Sequence, residues 1–417
     1  MPKLHCGIDF GTSNSTLALA DAARAWLVPL EDQQVTLPTA VFCDAEAAPP
    51  LFGRAAILAH TDQADGRLMR GLKSTLGSAL IHEKTPVGGR MVAIAEVITD
   101  FFTHLKQKLA LAAPGIDQVV IGRPVHFVED DPAGDRAAEA VLRQIAHAIG
   151  FKTVAFQFEP IAAALHYEQS LTAEQLVLIV DIGGGTSDFS IVRLSPTRRG
   201  QAERGQDILA NDGIRVGGTD FDRLLSLGAV MPDLGLGSFT ADGKTPMPLR
   251  PYHDLASWHR INTLYTVRMA RELRDMRYTA ARPDKIDRLI RVVGKRHGHA
   301  LAFACEQAKI ALSLEPSVPV RVGRFTGATD PMTTRVLFET LVAAPLLRLD
   351  QTIRSVLQQA EVGPSQIGTV FLTGGSSAIP AVHALVGALL PQSLIATGDN
   401  LGAVGTGLAI DARRRFG

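Results

Sequence analysis

Two distant segments of the chain repeat one pattern of apolar and polar positions. Residues 8–19 and 180–191 each consist of an apolar strand, an aspartate, a turn rich in Gly, Thr and Ser, and a second alternating strand. This pattern predicts a β-hairpin with a tip of small residues. The two aspartates, Asp9 and Asp181, lie 172 residues apart, whereas solenoid repeats recur about every 20–50 residues. We therefore expect the duplication of a lobe.

Apolar runs and helical spacing alternate along the rest of the chain. The pattern predicts strands over 117–122, 176–180 and 367–373, and helices over 93–112, 131–149 and 378–390. It predicts irregular inserts over 29–86 and 231–251, and helical stretches over 255–277 and 284–314. Strands that alternate with helices predict an α/β fold.

Composition narrows the class of protein. The chain has 417 residues, of which 46% are hydrophobic and 20% are charged, so it can bury a core and is long enough for two domains or lobes. Lys and Arg together number 42, as do Asp and Glu, and this balance argues against nucleic acid or an anionic membrane as a partner. Three cysteines are too few for a disulfide framework or a structural zinc site. No signal peptide or membrane-spanning run is recognised, so we expect a cytoplasmic protein.

The two hairpin tips are candidate phosphate sites. A tight turn of Gly, Thr and Ser directs backbone N–H groups outward, and such a nest binds anionic oxygens. Glycine allows close approach and a left-handed φ, which costs other residues about 1–2 kcal/mol. Two tips facing each other would hold a polyphosphate from both sides, and Asp9 and Asp181 could hold Mg²⁺ through its waters. The alternative is a pair of ordinary hairpins.

Two further segments could contact a nucleoside. In residues 371–380 a strand ends at Gly374 and Gly375 and a helix follows, which would let a flat ring or a ribose lie against bare backbone. Glu306, Lys309 and Ser313 are spaced to lie along one helix face, where they could bind ribose hydroxyls and an adenine edge. The alternatives are an ordinary loop after a strand and a solvated helix face with an ion pair.

Nine segments resemble, in the same order, the nucleotide-binding domain of the 70-kilodalton heat-shock (DnaK-like) chaperones, which belong to the actin/hexokinase/heat-shock ATPase superfamily. The segments are 7–15, 72–77, 121–125, 158–165, 181–188, 216–222, 306–313, 373–380 and 399–405. The length of the chain is most similar to that of the short YegD-like branch of this family.

The resemblance implies a two-lobed, actin-like ATPase fold with duplicated ribonuclease-H-like lobes and no C-terminal peptide-binding domain. Lobe I would comprise residues 1–175, with an insert subdomain at about 36–115. Lobe II would comprise residues 176–398, with an insert subdomain at about 227–307. Residues 399–417 would form a C-terminal helix that returns to lobe I.

The resemblance also implies roles for individual residues. Lys73 would reach the γ-phosphate, Glu159 would position water, and Asp188 would polarise that water and help to bind a cation. Asp9 and Asp181 would organise Mg²⁺ and its waters. Thr186 would join Lys73, Glu159, Asp181 and Asp188 in the catalytic set. The remaining phosphate-binding residues would be Gly11, Thr12, Ser13, Asn14, Gly183, Gly184 and Gly185, and those around the nucleoside would be Gly217, Gly218, Glu306, Lys309, Ser313, Gly374, Gly375, Ser376 and Asp399.

The implied function is that of a chaperone protein that binds ATP, hydrolyses it to ADP and phosphate, and couples hydrolysis to opening of the interlobe cleft. Its cofactors would be ATP or ADP and Mg²⁺, and the resemblance also admits K⁺. Its partners would be the nucleotide, client proteins or a separate co-chaperone, and we expect a monomer. Two alternatives stay open within the superfamily: an actin-like or MreB-like filament former, and a small-molecule kinase.

The chain departs from the family at the adenine. The family commonly sandwiches this ring between two arginines, whereas the matching positions here are Ile310 and Ala378. Stacking on a cation is worth about 0.5–2 kcal/mol. Weaker or differently shaped adenine binding is therefore expected.

Overall fold

The computed structural model describes residues 3–46, 49–61, 66–87, 90–201, 204–398 and 401–417. Within these ranges, no helix combines the length and the apolar character that crossing a membrane requires.

The strands of the described residues belong to several sheets. They are β1 His5–Phe10, β2 Asn14–Ala20, β3 Ala25–Leu27, β4 Thr36–Pro38, β5 Ala40–Asp44, β6 Leu51–Phe52, β7 Gly66–Arg70, β8 Lys84–Val87, β9 Arg90–Ala93, β10 Gln118–Arg123, β11 Thr153–Phe158, β12 Gln175–Ile182, β13 Ser187–Leu194, β14 Ile208–Ile214, β15 Ser317–Pro319, β16 Met332–Thr334, β17 Thr369–Thr373 and β18 Leu394–Thr397.

Helices alternate with these strands, which confirms the predicted α/β class. They are α1 Gly53–Thr61, α2 Ile94–Ala112, α3 Pro132–Ala148, α4 Glu159–Glu168, α5 Gly218–Leu225, α6 Arg250–Leu255, α7 Val267–Thr279, α8 Pro283–Gly294, α9 Gly298–Leu312, α10 Gly323–Thr326, α11 Arg335–Leu341, α12 Ala343–Gln359, α13 Pro380–Leu389 and α14 Ala403–Phe416.

The chain divides into two compact units. Unit 1 comprises Met1–Gly217, Leu347–Ala378 and Val382–Gly417, and unit 2 comprises Gly218–Leu346 and Ile379–Ala381. Both predicted hairpins therefore lie in unit 1. The finer lobe boundaries at 1–175, 176–398 and 399–417 stay a prediction.

Unit 1 contains two sheets with the same connectivity. In the first, β1 pairs antiparallel with β2 and parallel with β10, which pairs parallel with β11. In the second, β12 pairs antiparallel with β13 and parallel with β17, which pairs parallel with β18. In each sheet a further strand pairs antiparallel with the second strand of the hairpin: β3 pairs with β2, and β14 pairs with β13. The duplication predicted from the repeated pattern is confirmed.

Helices α4 and α14 contribute to a buried cluster that also includes side chains of both sheets. Val120 of β10, Ile179 of β12 and Leu408 of α14 all belong to this cluster. The two helices approach so closely that a β-carbon at Gly407 would overlap the backbone of Ala162. The interior therefore requires glycine on α14 at this position, since any side chain would separate the helices.

Three predicted segments differ from the structure. The stretch 255–277 is not one helix. Helix α6 ends at Leu255, and the chain then turns so that Trp258 and Ile261 become buried. Helix α7 begins after Thr266, whose side chain accepts a hydrogen bond from the Met269 N–H. The stretch 284–314 is broken between α8 and α9, where Arg296 has a φ of +55°. The stretch 29–86 is not irregular throughout, because β5, β6 and β7 form a three-stranded sheet.

Candidate nucleotide site

The tips of the two hairpins meet in unit 1. A β-carbon at Gly185 would lie only 2.7 Å from Thr12 Oγ1 and 3.2 Å from Ser74 Oγ, and one at Gly184 would lie 3.1 Å from the backbone nitrogen of Ser13. No side chain fits in either position without a shift of the neighbouring tip. Small residues are therefore what allows the two loops to come together.

Hydrogen bonds fix the shape of both tips. The second tip is closed by the Gly183 N–H, which donates to the Thr186 carbonyl at 3.0 Å. In the first tip, the Thr39 N–H donates to the Ser13 carbonyl at 2.9 Å, and Thr39 Oγ1 donates to the Gly11 carbonyl at 2.7 Å. Thr39 thus holds two carbonyls of the first tip, a role that the sequence analysis missed because Thr39 lies in a segment predicted to be irregular.

A buried ion pair lies beside the tips. Lys73, in the short 3₁₀ turn Leu72–Thr75, donates from Nζ to Glu159 Oε1 at 2.5 Å, and both side chains are buried. Burial lowers the pKa of Lys73, but the carboxylates of Glu159 and Asp9 raise it by more, so that it is raised overall. The amine therefore stays charged at neutral pH.

Three aspartates surround this ion pair. Asp9 lies next to the last residue of β1, Asp181 lies near the end of β12, and Asp188 lies directly opposite Asp181 on β13. Burial and the nearby charge of Glu159 raise the pKa of Asp9 to about 7 and that of Asp188 to about 7, and they raise the pKa of Asp181 well above its usual value. Lys73 is thus the cation that lowers the pKa of each of these acids, and the site is negatively charged when they ionise.

Asp188 lies between two neighbouring segments. Its Oδ1 accepts a hydrogen bond from the Val125 N–H at 2.6 Å, just beyond the end of β10. On the other side, a β-carbon at Gly213 of β14 would lie only 2.6 Å from the same oxygen. A hydrogen bond with the Thr186 side chain lowers its pKa in part. The position of this carboxylate therefore depends on how β14 lies against the segment after β10.

Two further glycine segments lie against the second tip. A β-carbon at Gly217 would lie 2.6 Å from the backbone of Gly184 and Gly185. Gly374 has a φ of +81°, and a β-carbon there would lie 2.6 Å from Asp181 Oδ1. Gly375 follows it in the next turn, and Ser376 Oγ donates to the Gly183 carbonyl at 3.4 Å. The structure thus brings these predicted residues to the second tip.

The remaining predicted nucleoside residues lie in unit 2 or outside the described ranges. On α9, Lys309 is buried, and its amine forms an ion pair with Asp222 Oδ1 at 2.8 Å and donates to the Gly218 carbonyl at 3.2 Å. Glu306 is partly buried on the same helix, and Ser313 caps its C-terminus. Ile310 is exposed on α9, Ala378 ends the turn Gly375–Ala378 in unit 1, and Asp399 lies outside the described residues.

The donor set fits a cation that keeps its own waters. In the part of the chain that the structure describes, no three His, Cys, Asp or Glu side chains are placed to hold a metal ion directly. Yet the charge of Asp9 contributes to the raised pKa of Asp181, so the two carboxylates are close enough to repel each other. Mg²⁺ takes few carboxylates and retains several waters. The residues present therefore fit Mg²⁺ bound through water.

A family model described as Hsp70 protein matches residues 77–227 and 284–414, which is most of the chain. The chain belongs to the Hsp70 family. Among its relatives, the chaperone protein HscA of Pectobacterium carotovorum subsp. carotovorum is 28% identical over 434 residues, and the chaperone protein HscA homolog of Pseudomonas aeruginosa (strain LESB58) is 28% identical over 430 residues. Each alignment covers 98% of this chain and 58% of the relative.

This chain therefore spans little more than half the length of the curated relatives that it matches. These comparisons confirm the heat-shock family that the ordered motifs predicted. That this chain is most similar to the YegD-like branch of the family stays a prediction.

Proposed function

We propose that this Hsp70-family chain binds ATP with Mg²⁺ at the two hairpin tips and hydrolyses it to ADP and phosphate. The observation that carries the proposal is the meeting of two tips of Gly, Thr and Ser beside a buried lysine and three aspartates. Glycine-rich turns offer backbone N–H groups to phosphate oxygens. A triphosphate between the tips would bring the anionic charge that this lysine and a bound cation can balance.

The chain's own residues divide the work of phosphoryl transfer. Gly11, Thr12, Ser13 and Asn14 of the first tip, and Gly183, Gly184, Gly185 and Thr186 of the second, would bind the phosphates. Lys73 would neutralise the γ-phosphate, and Glu159, which holds the Lys73 amine, would orient both the amine and a water. Asp188, whose pKa of about 7 suits a base near neutral pH, would accept the proton of the attacking water.

Mg²⁺ bound through its waters to Asp9 and Asp181 would neutralise phosphate charge. In unit 1 the residues near the nucleoside would be Gly217, Gly374, Gly375 and Ser376. Gly218, Glu306, Ser313 and Asp399 are assigned to the nucleoside by the resemblance alone. Lys309 would support the glycine segment, because its amine already donates to the Gly218 carbonyl.

Hydrolysis would be coupled to a conformational change. One tip comes from the first sheet of unit 1 and the other from the second, so a triphosphate that contacts both favours the arrangement in which they meet. Loss of the γ-phosphate removes part of that differential affinity. Since the relatives are named chaperones, we propose that the change is transmitted to a client protein or a co-chaperone.

A phosphate-release assay tests this function. Wild type, Lys73→Ala and Asp181→Asn would be compared with Lys152→Ala, which removes an exposed lysine paired with Asp117. Removing one well-placed electrostatic group costs about 10²–10³ in rate, so the first two variants should lose nearly all turnover and the control should keep it. Calorimetry with ATP and ADP, with and without Mg²⁺, measures binding separately. Wild-type turnover no faster than that of Lys73→Ala would refute hydrolysis at this site.

A further inference from the structure

His126 lies between two carboxylates that belong to different parts of unit 1. Its Nδ1 is 3.3 Å from Asp135 Oδ2 on α3, and its Nε2 is 3.3 Å from Asp212 Oδ1 on β14. A neutral imidazole has one donor and one acceptor nitrogen, so it can satisfy only one of these carboxylates. The arrangement therefore favours the doubly protonated imidazolium, which can donate to both carboxylates.

Both carboxylates are themselves fixed. Asp135 Oδ1 accepts from the N–H groups of Phe127 and Val128 and lies 3.8 Å from the Arg123 guanidinium. On the other side, the Asp212 carboxylate accepts from the Gly213 N–H at 2.8 Å and from Gln359 Nε2 at 3.3 Å. His126 thus connects two anchored groups rather than two mobile side chains.

The bridge lies one residue away from two residues that adjoin the Asp188 carboxylate. Val125, which donates its N–H to Asp188, directly precedes His126 in the chain. Gly213, which lies against the same carboxylate, directly follows Asp212. Because Gly213 is the partner of Asp188 in the pairing of β13 with β14, a shift of β14 away from the segment after β10 would draw the Asp188 carboxylate away from the Val125 N–H.

We propose that His126 is a positioning residue for hydrolysis: by bridging Asp135 and Asp212 it holds β14 against the segment after β10 and so fixes Asp188. This inference rests on the proposed function, because it assigns His126 to the same reaction. It adds a residue that is not among those assigned to the phosphates or to the attacking water, and that acts through the backbone beside Asp188.

The protonation of His126 gives the proposal a pH signature. The hydrogen bond to Asp212 raises its pKa, burial lowers it, and the bond to Asp135 raises it again, to about 9 overall. The same bridge lowers the pKa of Asp212. Since the pKa of His126 is raised on folding, the bridge is intact at neutral pH and is lost as the pH rises through about 9.

Turnover and nucleotide affinity of the full chain would be measured for wild type, His126→Gln and Asp212→Asn, with His82→Gln as the exposed control. A displacement of about 1 Å at a reacting group can cost about a hundredfold, so we expect kcat to fall about tenfold to a hundredfold in the first two variants while the affinity for ATP changes little. Wild type should lose activity above pH 9 with His126, and His126→Gln should lack that step. Wild-type kcat in a folded His126→Gln variant would overturn the proposal.

Histidine titration by NMR, without nucleotide, separates this inference from the proposed function. One imidazole should titrate near pH 9 in wild type, be absent from His126→Gln, and shift towards ordinary histidine values in Asp212→Asn. If the chain had no turnover at all, the proposed function would fail, and the titration alone would decide whether the bridge exists. An ordinary pKa for His126 would overturn the bridge whatever the turnover.

Discussion

Replacing Asp188 by asparagine should stabilise unit 1 at neutral and alkaline pH while it removes turnover. The side chain is 1% exposed, and burial together with Glu159 raises its pKa from the ordinary 3.8 to about 7. Each pH unit of such a difference is worth about 1.36 kcal/mol, so the ionised carboxylate costs the folded state up to about 4 kcal/mol. Asparagine keeps the oxygen that accepts from Val125 and carries no charge.

Proton binding determines whether the free energy of unfolding rises or falls with pH. Between pH 4 and about 7 the folded chain keeps the proton on Asp188 and the unfolded chain has lost it, so wild-type stability falls as the pH rises. Above about pH 7 the cost is constant. From pH 5.5 to 7 this carboxyl alone should remove about 2 kcal/mol from the free energy of unfolding, and Asp188→Asn should lack that loss.

Urea unfolding measures this in a Trp258→Phe background, because Trp26 then reports on unit 1 alone. The series would run from pH 5.5 to 8.5 without nucleotide or Mg²⁺. Glu174→Gln, at an exposed carboxylate, is the matched control and should follow wild type. If Asp188→Asn and wild type showed the same dependence on pH, Asp188 would be ionised in the folded state and the reasoning would be wrong.

Three other substitutions test the site. Lys73→Ala leaves Glu159 buried without its cation and should lower the free energy of unfolding by about 3–5 kcal/mol, as measured by urea unfolding against Lys73→Arg. Gly185→Ala places a methyl group 2.7 Å from Thr12 Oγ1, so a tip must shift and calorimetry should show weaker ATP binding; unchanged affinity would contradict the close approach of the tips. Thr39→Val removes the hydrogen bond to the first tip at a cost of about 1–3 kcal/mol, and Thr39→Ser should restore both thermal stability and nucleotide affinity.

The hairpins and most helices could be predicted because their signals are local. An alternating run that ends in Gly, Thr and Ser specifies a strand and its turn without knowledge of any partner. The helix predicted over 131–149 is confirmed as α3, which begins at Pro132 after Asp131 caps it by accepting from the N–H groups of Ala133 and Gly134. Helical spacing alone did not reveal the break at Arg296, because a single left-handed residue leaves the apolar period on either side intact.

The contacts that hold the site residues in place could not be predicted from the sequence, because they join segments that are distant along the chain. Nothing near Thr39 in the sequence indicates that it holds the carbonyls of the first tip. Val125 contributes only a backbone N–H, which any residue except proline would offer. Likewise, the spacing of α9 correctly indicates a helix but not that Lys309 is paired with Asp222. Such roles depend on which strands become neighbours, and this is settled by packing.

The two copies of the duplicated hairpin differ where the chemistry requires it. Asp9 faces Thr16 across the first hairpin, whereas the equivalent Asp181 faces Asp188 across the second. Thr16 is buried, its hydroxyl has no hydrogen-bond partner among the described residues, and a β-carbon at Gly405 of α14 would overlap it. A carboxylate in place of Thr16 is larger than the hydroxyl and would not fit against Gly405 without a shift of that helix. At Asp188 the Val125 N–H supplies a hydrogen-bond donor, so the second hairpin accommodates the extra acid that the proposed hydrolysis needs.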